Sequence, residues 1–174
     1  TGYTFDGWFD AATGGTEVTT YGSAADVTLY AHWSADVYDV MYEENGADAT
    51  VSDDTFTFDG TPVTLPTPVK TGYTFDGWFS EIGLITLVSS PYTPTGDSTL
   101  YAGWTANEYT VSYDPNYGEE AVVDTTWTYD STFTIAADLV RTGYTFDGWF
   151  DAATGGTEVP TYGSAAAVTL YAHW

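Results

Sequence analysis

Apolar and polar residues alternate with a period of two in several short stretches of the chain. In the stretch EYTVSY at residues 108–113, every second residue is Tyr or Val, and the residues between them are polar or charged. This alternation predicts a strand with one face buried and the other in solvent. The pattern recurs at residues 38–42. A second strand is predicted at 126–130 with Trp127 and Tyr129 inward, and Phe56 and Phe58 are the equivalent inward pair.

The stretch YTFDGWF at residues 73–79 predicts a third strand, in which strict alternation would leave Trp78 on the outer face. An Asp-Gly step inside a strand often marks a β-bulge, which would turn the Trp inward. We therefore predict a bulge at this step. The last strand is predicted at 168–174, with Val168, Leu170, Ala172 and Trp174 inward.

The connector before the third strand is predicted to be a loop. Residues 134–140 could form one short helical turn, whereas the equivalent stretch LPTPV at 65–69 contains two prolines, which favour extended backbone. Any helix in this chain is therefore expected to be short or absent.

The strands belong to an internal repeat. The eighteen residues TGYTFDGWFDAATGGTEV at 1–18 return at 142–159, and the first nine of them return at 71–79. The segments 34–70 and 105–141 align with each other without a gap. We predict three domains: the C-terminal half of a truncated repeat at 1–33 and two complete repeats at 34–104 and 105–174, each with its own small core.

Large aromatic side chains supply most of the material for these cores, because the predicted strands turn them inward. Aromatic residues make up 18% of the chain. An alternative interpretation is that the rings form platforms for binding sugars, but their inward strand positions favour a structural role. The predicted structural core comprises Trp8, Trp33, Trp78, Trp104, Trp149, Trp174, Tyr38 and Tyr109.

Charge and composition exclude several classes of function. The net charge of −23 repels phosphate backbones and anionic lipids, so binding to nucleic acid is not expected. No apolar run is long enough to span a bilayer, so membrane insertion is not expected either. Cysteine is absent, which excludes disulfides and thiolate chemistry. The chain has no initiator Met and no leader, which suggests a piece of a longer protein or a processed chain.

These motifs resemble the internalin-type B repeat, also called the Listeria–Bacteroides repeat. The matching elements are a Tyr-x-Val-x-Tyr strand, a loop ending in Lys or Arg, the sequence TGYTFDGWF, and a closing TLYAxW. The resemblance implies tandem small β-grasp modules, similar to ubiquitin, arranged as beads on a string in bacterial cell-surface proteins. It implies no catalytic residues and no cofactor. Asn45-Gly46 and Tyr117-Gly118 depart from the usual Gly-Gly of the family, and the stretch 80–98 is aberrant.

Three groups of residues are candidates for other chemistry. Asp114, Asn116 and Glu119 resemble the start of a calcium loop, but the distal Glu is missing, so a turn is favoured over a calcium site. The only two cations, Lys70 and Arg141, precede TGYTF in the two complete repeats, and we expect each to form a salt bridge to a carboxylate or to cap the loop. His32 and His173 are expected to be exposed surface residues.

The predicted function is therefore that of a non-catalytic structural segment of an extracellular protein, located at the cell surface or the cell wall. It would act as a stalk or spacer, or build a filament, with neighbouring repeats or other copies as partners. The alternative is an adhesive module that binds a host protein or glycan directly. Residues 1–33 lack two strands, which either upstream sequence or a neighbouring chain would supply; the repeat count favours upstream sequence.

Overall fold

The structure is a computed structural model that describes residues 2–118 and 122–174. All the regular secondary structure of these residues is β, and none of it is helical. The loop predicted between the second and third strands is a loop in both complete repeats. The eleven strands are β1 Tyr3–Phe9, β2 Tyr30–Ala35, β3 Val37–Glu43, β4 Asp54–Thr57, β5 Tyr73–Phe79, β6 Leu87–Val88, β7 Ser98–Ala106, β8 Glu108–Asp114, β9 Thr125–Thr128, β10 Gly148–Phe150 and β11 Val168–His173.

Strands β1 and β2 form an antiparallel two-stranded sheet. Its register shifts between Phe5 and Gly7, so the predicted bulge at the Asp-Gly step is confirmed. Gly7 has a φ of 134°, and the equivalent Gly77 and Gly148 both have a φ of 128°. Residues with a side chain rarely adopt this conformation, which explains a glycine at the bulge.

The second sheet has five strands in the order β4-β3-β7-β5-β6. Strand β3 pairs antiparallel with β4 and parallel with β7, and β5 pairs antiparallel with β6. The parallel pair is formed by residues 40–43 and 98–101, which are far apart in sequence. The buried apolar residues between 34 and 104 include Val40, Tyr42, Phe56, Val63, Leu65, Trp78, Leu100 and Ala102.

The third sheet has four strands in the order β10-β11-β8-β9. Strand β11 pairs antiparallel with β10 and parallel with β8, while β8 pairs antiparallel with β9. The parallel register joins Val168 to Val111 and Leu170 to Tyr113. The buried core of this sheet consists of Val111, Tyr113, Trp127, Trp149, Leu170 and Ala172.

The chain divides into two compact units. The first contains residues 1–45, 50–67 and 77–103, and the second contains residues 46–49, 68–76 and 104–174. The fold is thus mainly β, as the sequence predicted. The assignment of the three sequence segments 1–33, 34–104 and 105–174 as domains stays a prediction.

Candidate functional site

The motif TGYTFDGWF, which occurs three times in the chain, places one Trp per copy directly after the glycine of the Asp-Gly step. Trp78 and Trp149 are 2% and 3% exposed, respectively. The indole N–H of Trp78 donates to the Pro66 carbonyl at 2.7 Å, and that of Trp149 donates to the Ala136 carbonyl at 3.1 Å. Both acceptors lie in the loop before the third strand. The burial of each Trp therefore depends on residues of the preceding half-repeat.

Trp8 and Trp33 are not core residues, which corrects the prediction for the first copy. They are 50% and 57% exposed. The equivalent Trp149 packs against Tyr113 of β8, with the ring centroids 4.8 Å apart. The sequence pattern of the copy itself contains no sign of this difference.

The remaining predicted core residues are half-buried. Tyr38 and Tyr109 lie on strands β3 and β8, and Tyr109 contacts the Trp127 ring with centroids 6.3 Å apart. Trp104 contacts Phe75 at 5.2 Å. Trp174 contacts Phe146 at 5.4 Å, and its indole N–H donates to the Pro115 carbonyl at 2.9 Å. These residues form the rim of the cores.

The two cations lie over aromatic rings. The Lys70 ammonium is 4.3 Å from the centroid of the Tyr73 ring, and the Arg141 guanidinium is 3.7 Å from that of Tyr144. Arg141 is also 4.3 Å from the Tyr117 ring. A cation over a ring face is attracted by the quadrupole of the ring. The sequence analysis missed these rings because it considered only carboxylates as partners.

The predicted salt bridges of Lys70 and Arg141 stay predictions. The charge of Lys70 does affect the pKa of a nearby carboxylate, that of Asp48. The pKa of Asp48 lies below its ordinary value, mainly because Thr71 donates its hydroxyl at 2.7 Å and its backbone N–H at 2.9 Å to the carboxylate. The positive charge of Lys70 lowers this pKa further.

A set of contacts that the sequence did not predict joins the first and the second TGYTF hairpin to the strands that follow them. In what we call the first joint, the backbone N–H of Asp36 donates to the Gly2 carbonyl at 3.0 Å, and the Thr4 hydroxyl donates to the Asp36 carboxylate at 2.6 Å. The Tyr3 ring packs edge-on against Phe58 at 5.4 Å. The Tyr3 hydroxyl donates to the Asp59 carboxylate at 2.8 Å.

The second joint repeats the first with equivalent residues. The backbone N–H of Asn107 donates to the Gly72 carbonyl at 2.9 Å, and the Thr74 hydroxyl donates to the Asn107 side chain at 2.6 Å. The Tyr73 ring packs edge-on against Tyr129 at 5.6 Å. The Tyr73 hydroxyl donates to the Asp130 carboxylate at 2.6 Å. The equivalence of the two joints shows that they are built into the repeat.

The joints also change the electrostatics of the tyrosines. The hydrogen bonds to Asp59 and Asp130 raise the pKa of Tyr3 and of Tyr73 above the ordinary tyrosine value, because a phenolate beside a carboxylate would lose the bond and face a like charge. Tyr42, whose hydroxyl donates to Asp54 at 2.9 Å, also has a raised pKa, chiefly because it is buried.

The third copy has no joint within the described residues. A Cβ atom added to Gly72 would lie 2.3 Å from the Tyr129 ring, and one added to Gly2 would lie 2.4 Å from the Phe58 ring. A Cβ atom added to Gly143 would meet nothing within 4 Å. Tyr144, the equivalent of Tyr3 and Tyr73, is exposed.

The histidines differ from their prediction as exposed residues. Each is half-buried and stacks on the Phe of its own hairpin: His32 on Phe9 at 4.0 Å, and His173 on Phe150 at 3.9 Å. The Nε2 atom of each is 2.9 Å from a loop carbonyl, Ala11 or Ala152. In the middle copy the Phe79 ring lies close to Gly103, where an added Cβ atom would approach it to 2.4 Å. The imidazole is therefore a packing residue of the hairpin.

The calcium candidate lies partly within the described residues. The backbone N–H of Asn116 donates to the Asp114 carboxylate at 2.8 Å, and its side-chain amide donates to the Ala153 carbonyl at 2.7 Å. Glu119 lies outside the described residues. Across residues 2–118 and 122–174 there is no group of three or more acidic or histidine side chains that could hold a metal ion. Calcium binding stays a prediction.

Two open depressions lie at equivalent places in the first and third copies. Each is lined by the Asp before the bulge glycine, the loop between the two strands of the hairpin, the His and the closing Trp: Asp6, His32 and Trp33 in one, and Asp147, His173 and Trp174 in the other. Arg141 and Tyr144 extend the second depression. The combination of an exposed ring with polar groups can hold a polar ligand, but both depressions are shallow.

No helix in the described part of the chain is long and apolar enough to cross a membrane. The chain is 34% identical over 99% of its length to a protein of Evansella cellulosilytica that is predicted to be a membrane protein, and 32% identical over its full length to a Gly-rich protein of the same organism with the same prediction. It is 35% identical over 66% of its length to Internalin H of Listeria monocytogenes. The chain matches only 26%, 22% and 21% of these three relatives.

No solved structure gives a significant match to the chain. The Listeria-Bacteroides repeat domain matches it three times, at residues 1–32, 38–103 and 109–173. These segments contain the three hairpins and both parallel strand pairs described above. The chain belongs to the Listeria-Bacteroides repeat domain family.

Proposed function

We propose that this chain is a non-catalytic structural segment of an extracellular protein, which acts as a stalk or spacer at the cell surface or cell wall. The observation that supports this role most strongly is the repeated joint. Hairpins β1–β2 and β5–β7 each hold the next strands through the same ring contact and the same hydrogen bonds. A joint of this kind limits motion at each connection, which suits a part that carries mechanical load.

The membership of the family and the likeness to Internalin H support a surface location. We further propose that each complete repeat is a β-grasp module. The strand order β10-β11-β8-β9, with a parallel central pair flanked by two antiparallel pairs, is the observation in favour. Filament formation by several copies of the chain is a variant of the same structural role.

The stalk role is tested by small-angle X-ray scattering on the chain and on versions with one or two additional copies of residues 34–104. We expect the maximum dimension to grow by an equal increment with each copy, because each joint is the same. A dimension that does not grow with copy number would contradict a spacer. Tyr73→Ala should broaden the distribution of distances, while Tyr144→Ala, the same change at the equivalent position outside a joint, should not.

An adhesive module is the second candidate, and the variable stretch of the middle repeat favours it. Ile82 and Ile85 are 79% and 82% exposed, and Leu84 and Leu87 are also exposed. The loop that carries them is ordered: the Ser80 backbone N–H donates to the Thr86 carbonyl at 3.1 Å, and the Glu81 carboxylate accepts from the Ile85 backbone N–H at 3.0 Å. An ordered loop that holds aliphatic side chains in solvent is typical of a protein-binding surface.

Binding of the chain to immobilised host extracellular proteins and to a glycan array tests this second candidate. An adhesive module predicts saturable binding that is lost in the double variant Ile82→Asp, Ile85→Asp. The matched control is Val140→Asp, since Val140 is similarly exposed but belongs to the other compact unit. Saturable binding that the double variant leaves intact would exclude the loop as the adhesive surface. No saturable binding at all would favour the stalk role.

A further inference from the structure

The two joints share their geometry but differ in one ring. In the first joint the Tyr3 ring packs edge-on against Phe58, with the centroids 5.4 Å apart and the planes at 76°. In the second joint the Tyr73 ring packs against Tyr129 at 5.6 Å and 80°. The ring that receives the hairpin is thus a phenol in the second joint and not in the first. Two phenols therefore lie in van der Waals contact in the second joint.

The backbone of the hairpin holds the two phenols side by side. A Cβ atom added to Gly72 would lie 2.5 Å from Cε1 of Tyr129, so this edge of the ring rests on the backbone of the residue before Tyr73. The Tyr129 backbone N–H donates to the Asn107 carbonyl at 2.9 Å, and the Asn107 backbone N–H donates to the Gly72 carbonyl, also at 2.9 Å. Cε1 is a carbon ortho to the hydroxyl, and phenoxyl radicals couple at the ortho carbons.

The second joint also supplies an acceptor for the phenolic proton of Tyr73. The Tyr73 hydroxyl donates to the Asp130 carboxylate at 2.6 Å. Loss of an electron makes a phenol strongly acidic, so a hydrogen-bonded carboxylate takes the proton as the electron leaves. The Lys70 ammonium lies 4.3 Å from the centroid of the same ring and opposes a net positive charge there. Oxidation of Tyr73 therefore requires that the proton pass to Asp130, and it gives a neutral phenoxyl radical.

We propose that the second joint is a site of oxidative cross-linking, at which a peroxidase-type oxidant joins Tyr73 to Tyr129 through a carbon–carbon bond. Each phenol gives up one electron and its hydroxyl proton. The two phenoxyl radicals couple at carbons ortho to oxygen. The hydrogen on each of these carbons then moves, as a proton, to the oxygen of its own ring and restores the phenol. The two electrons and two protons that were given up reduce one hydrogen peroxide to two molecules of water.

The bond would turn the second joint from a noncovalent contact into a covalent one. It would close a loop between residues 73 and 129 in the unfolded chain and restrict its conformations, as a disulfide does. The chain contains no cysteine, so it cannot form disulfides, and a bond between tyrosines needs none. The proposal holds whether the chain is a stalk or an adhesive module, because it rests on the ring pair and its proton acceptor alone.

Tyr109 is the competing partner for Tyr129. The Tyr109 ring also contacts Tyr129 edge-on, with the centroids 6.5 Å apart. Its hydroxyl accepts from the side-chain amide of Asn107 at 3.4 Å, and an amide N–H cannot take up a proton. The shorter distance and the carboxylate therefore both favour Tyr73 as the residue that links to Tyr129.

Oxidation of the full chain by a haem peroxidase and hydrogen peroxide tests the proposal. Gel filtration isolates the monomer and removes links between chains, which exposed tyrosines such as Tyr144 can form. In the monomer, cleavage at acidic residues and mass spectrometry should find a linked peptide pair that contains Tyr73 and Tyr129 and lacks two hydrogen atoms. A monomer without this pair overturns the proposal, and so does one in which Tyr109 is the main residue linked to Tyr129.

Matched substitutions in the two joints sharpen the test. Tyr129→Phe should remove the link and keep the fold, because the first joint already has a Phe at this position. Phe58→Tyr should add a second link, to Tyr3, because the Tyr3 hydroxyl also donates to a carboxylate, that of Asp59, at 2.8 Å. If Phe58→Tyr gives no link to Tyr3, the geometry of the joint does not direct the coupling and the proposal is overturned.

Asp130→Asn tests the proton acceptor. The amide has nearly the size of the carboxylate but takes up a proton far less readily. We expect the link to form at least severalfold more slowly than in the unmodified chain at the same peroxide concentration. The control is Tyr144→Phe, which lies outside both joints and should leave the rate of linking unchanged. An Asp130→Asn variant that links at the unmodified rate, with its fold verified by circular dichroism, overturns the proposal.

Discussion

Residues 1–33 and 142–174 differ only at Thr19 versus Pro160 and Asp26 versus Ala167, but they adopt different structures. The TGYTFDGWF strand is long in the first copy, where β1 runs from Tyr3 to Phe9. It is short in the third copy, where β10 runs from Gly148 to Phe150. The last strand begins earlier in the third copy than in the first, because β11 includes residues 168–170 and β2 does not include the equivalent residues 27–29. The two copies therefore differ in where the strands begin, although their sequences are nearly identical.

The neighbours differ in a simple way. The first copy is followed by strands β3 and β4, which form a joint with residues 2–4. The third copy is preceded by strands β8 and β9, which cover its aromatic face. One hairpin sequence therefore has two interaction surfaces: a joint surface, seen in the first copy, and a core surface, seen in the third. The middle copy uses both.

The largest effect is expected at the core surface. Trp149→Ala should lower the free energy of unfolding by ~3–5 kcal/mol, whereas Trp8→Ala should lower it by ~1 kcal/mol or less, because Trp8 is half exposed. Urea denaturation followed by circular dichroism measures both. Equal losses for the two variants would mean that the Trp8 face is covered in solution.

A smaller difference is expected at the joint surface. Gly72 and Gly143 have φ values of 82° and 81°, so an Ala is strained at both positions. Only at Gly72 would the new methyl group also meet a ring, that of Tyr129. We expect Gly143→Ala to cost ~1 kcal/mol and Gly72→Ala ~2–4 kcal/mol in urea denaturation. Identical costs would mean that the second joint is open in solution.

The joint also predicts a pH dependence. The pKa of Tyr73 is raised in the folded chain, so its contribution to stability is complete below the unfolded tyrosine pKa of about 10 and is lost as the pH rises through the folded pKa. The difference between the absorbance titrations of the unmodified chain and of Tyr73→Phe reports the ionisation of Tyr73 alone. We expect this ionisation above pH ~10. Asp130→Asn should move the pKa of Tyr73 to lower pH, because it removes the hydrogen bond to a charged carboxylate and the neighbouring charge. A titration of Tyr73 that Asp130→Asn does not change would contradict the second joint.

The smallest difference is expected at the histidines, because both copies give them the same contacts. His32 and His173 stack on Phe9 and Phe150 with interplanar angles of 8° in both cases. We expect His32→Ala and His173→Ala each to cost ~1 kcal/mol or less, and the two costs to agree within ~0.5 kcal/mol. A clear difference between the two variants, measured by thermal denaturation, would show that the hairpins are not locally equivalent.

Local sequence determined the parts of this structure that depend on local geometry. The period-two alternation at 108–113 predicted strand β8, and the Asp-Gly step predicted the bulge between Phe5 and Gly7. Trp78 and Trp149 are buried next to the equivalent glycines. The repeated motifs identified the family. Each of these features depends on residues close together in the chain, where backbone geometry fixes which side chains share a face.

Tertiary structure alone decided which copies of a residue are buried, which glycines lie against a ring, and which rings the two cations contact. Trp8 and Trp149 have the same local sequence, but only Trp149 is buried, with Tyr113 of β8 against its ring. Gly72 and Gly143 differ only in the ring of Tyr129, and Lys70 and Arg141 lie over rings that the sequence analysis did not predict. These outcomes depend on segments far apart in the chain, and the burial of a side chain is set by the surface that covers it rather than by its own sequence.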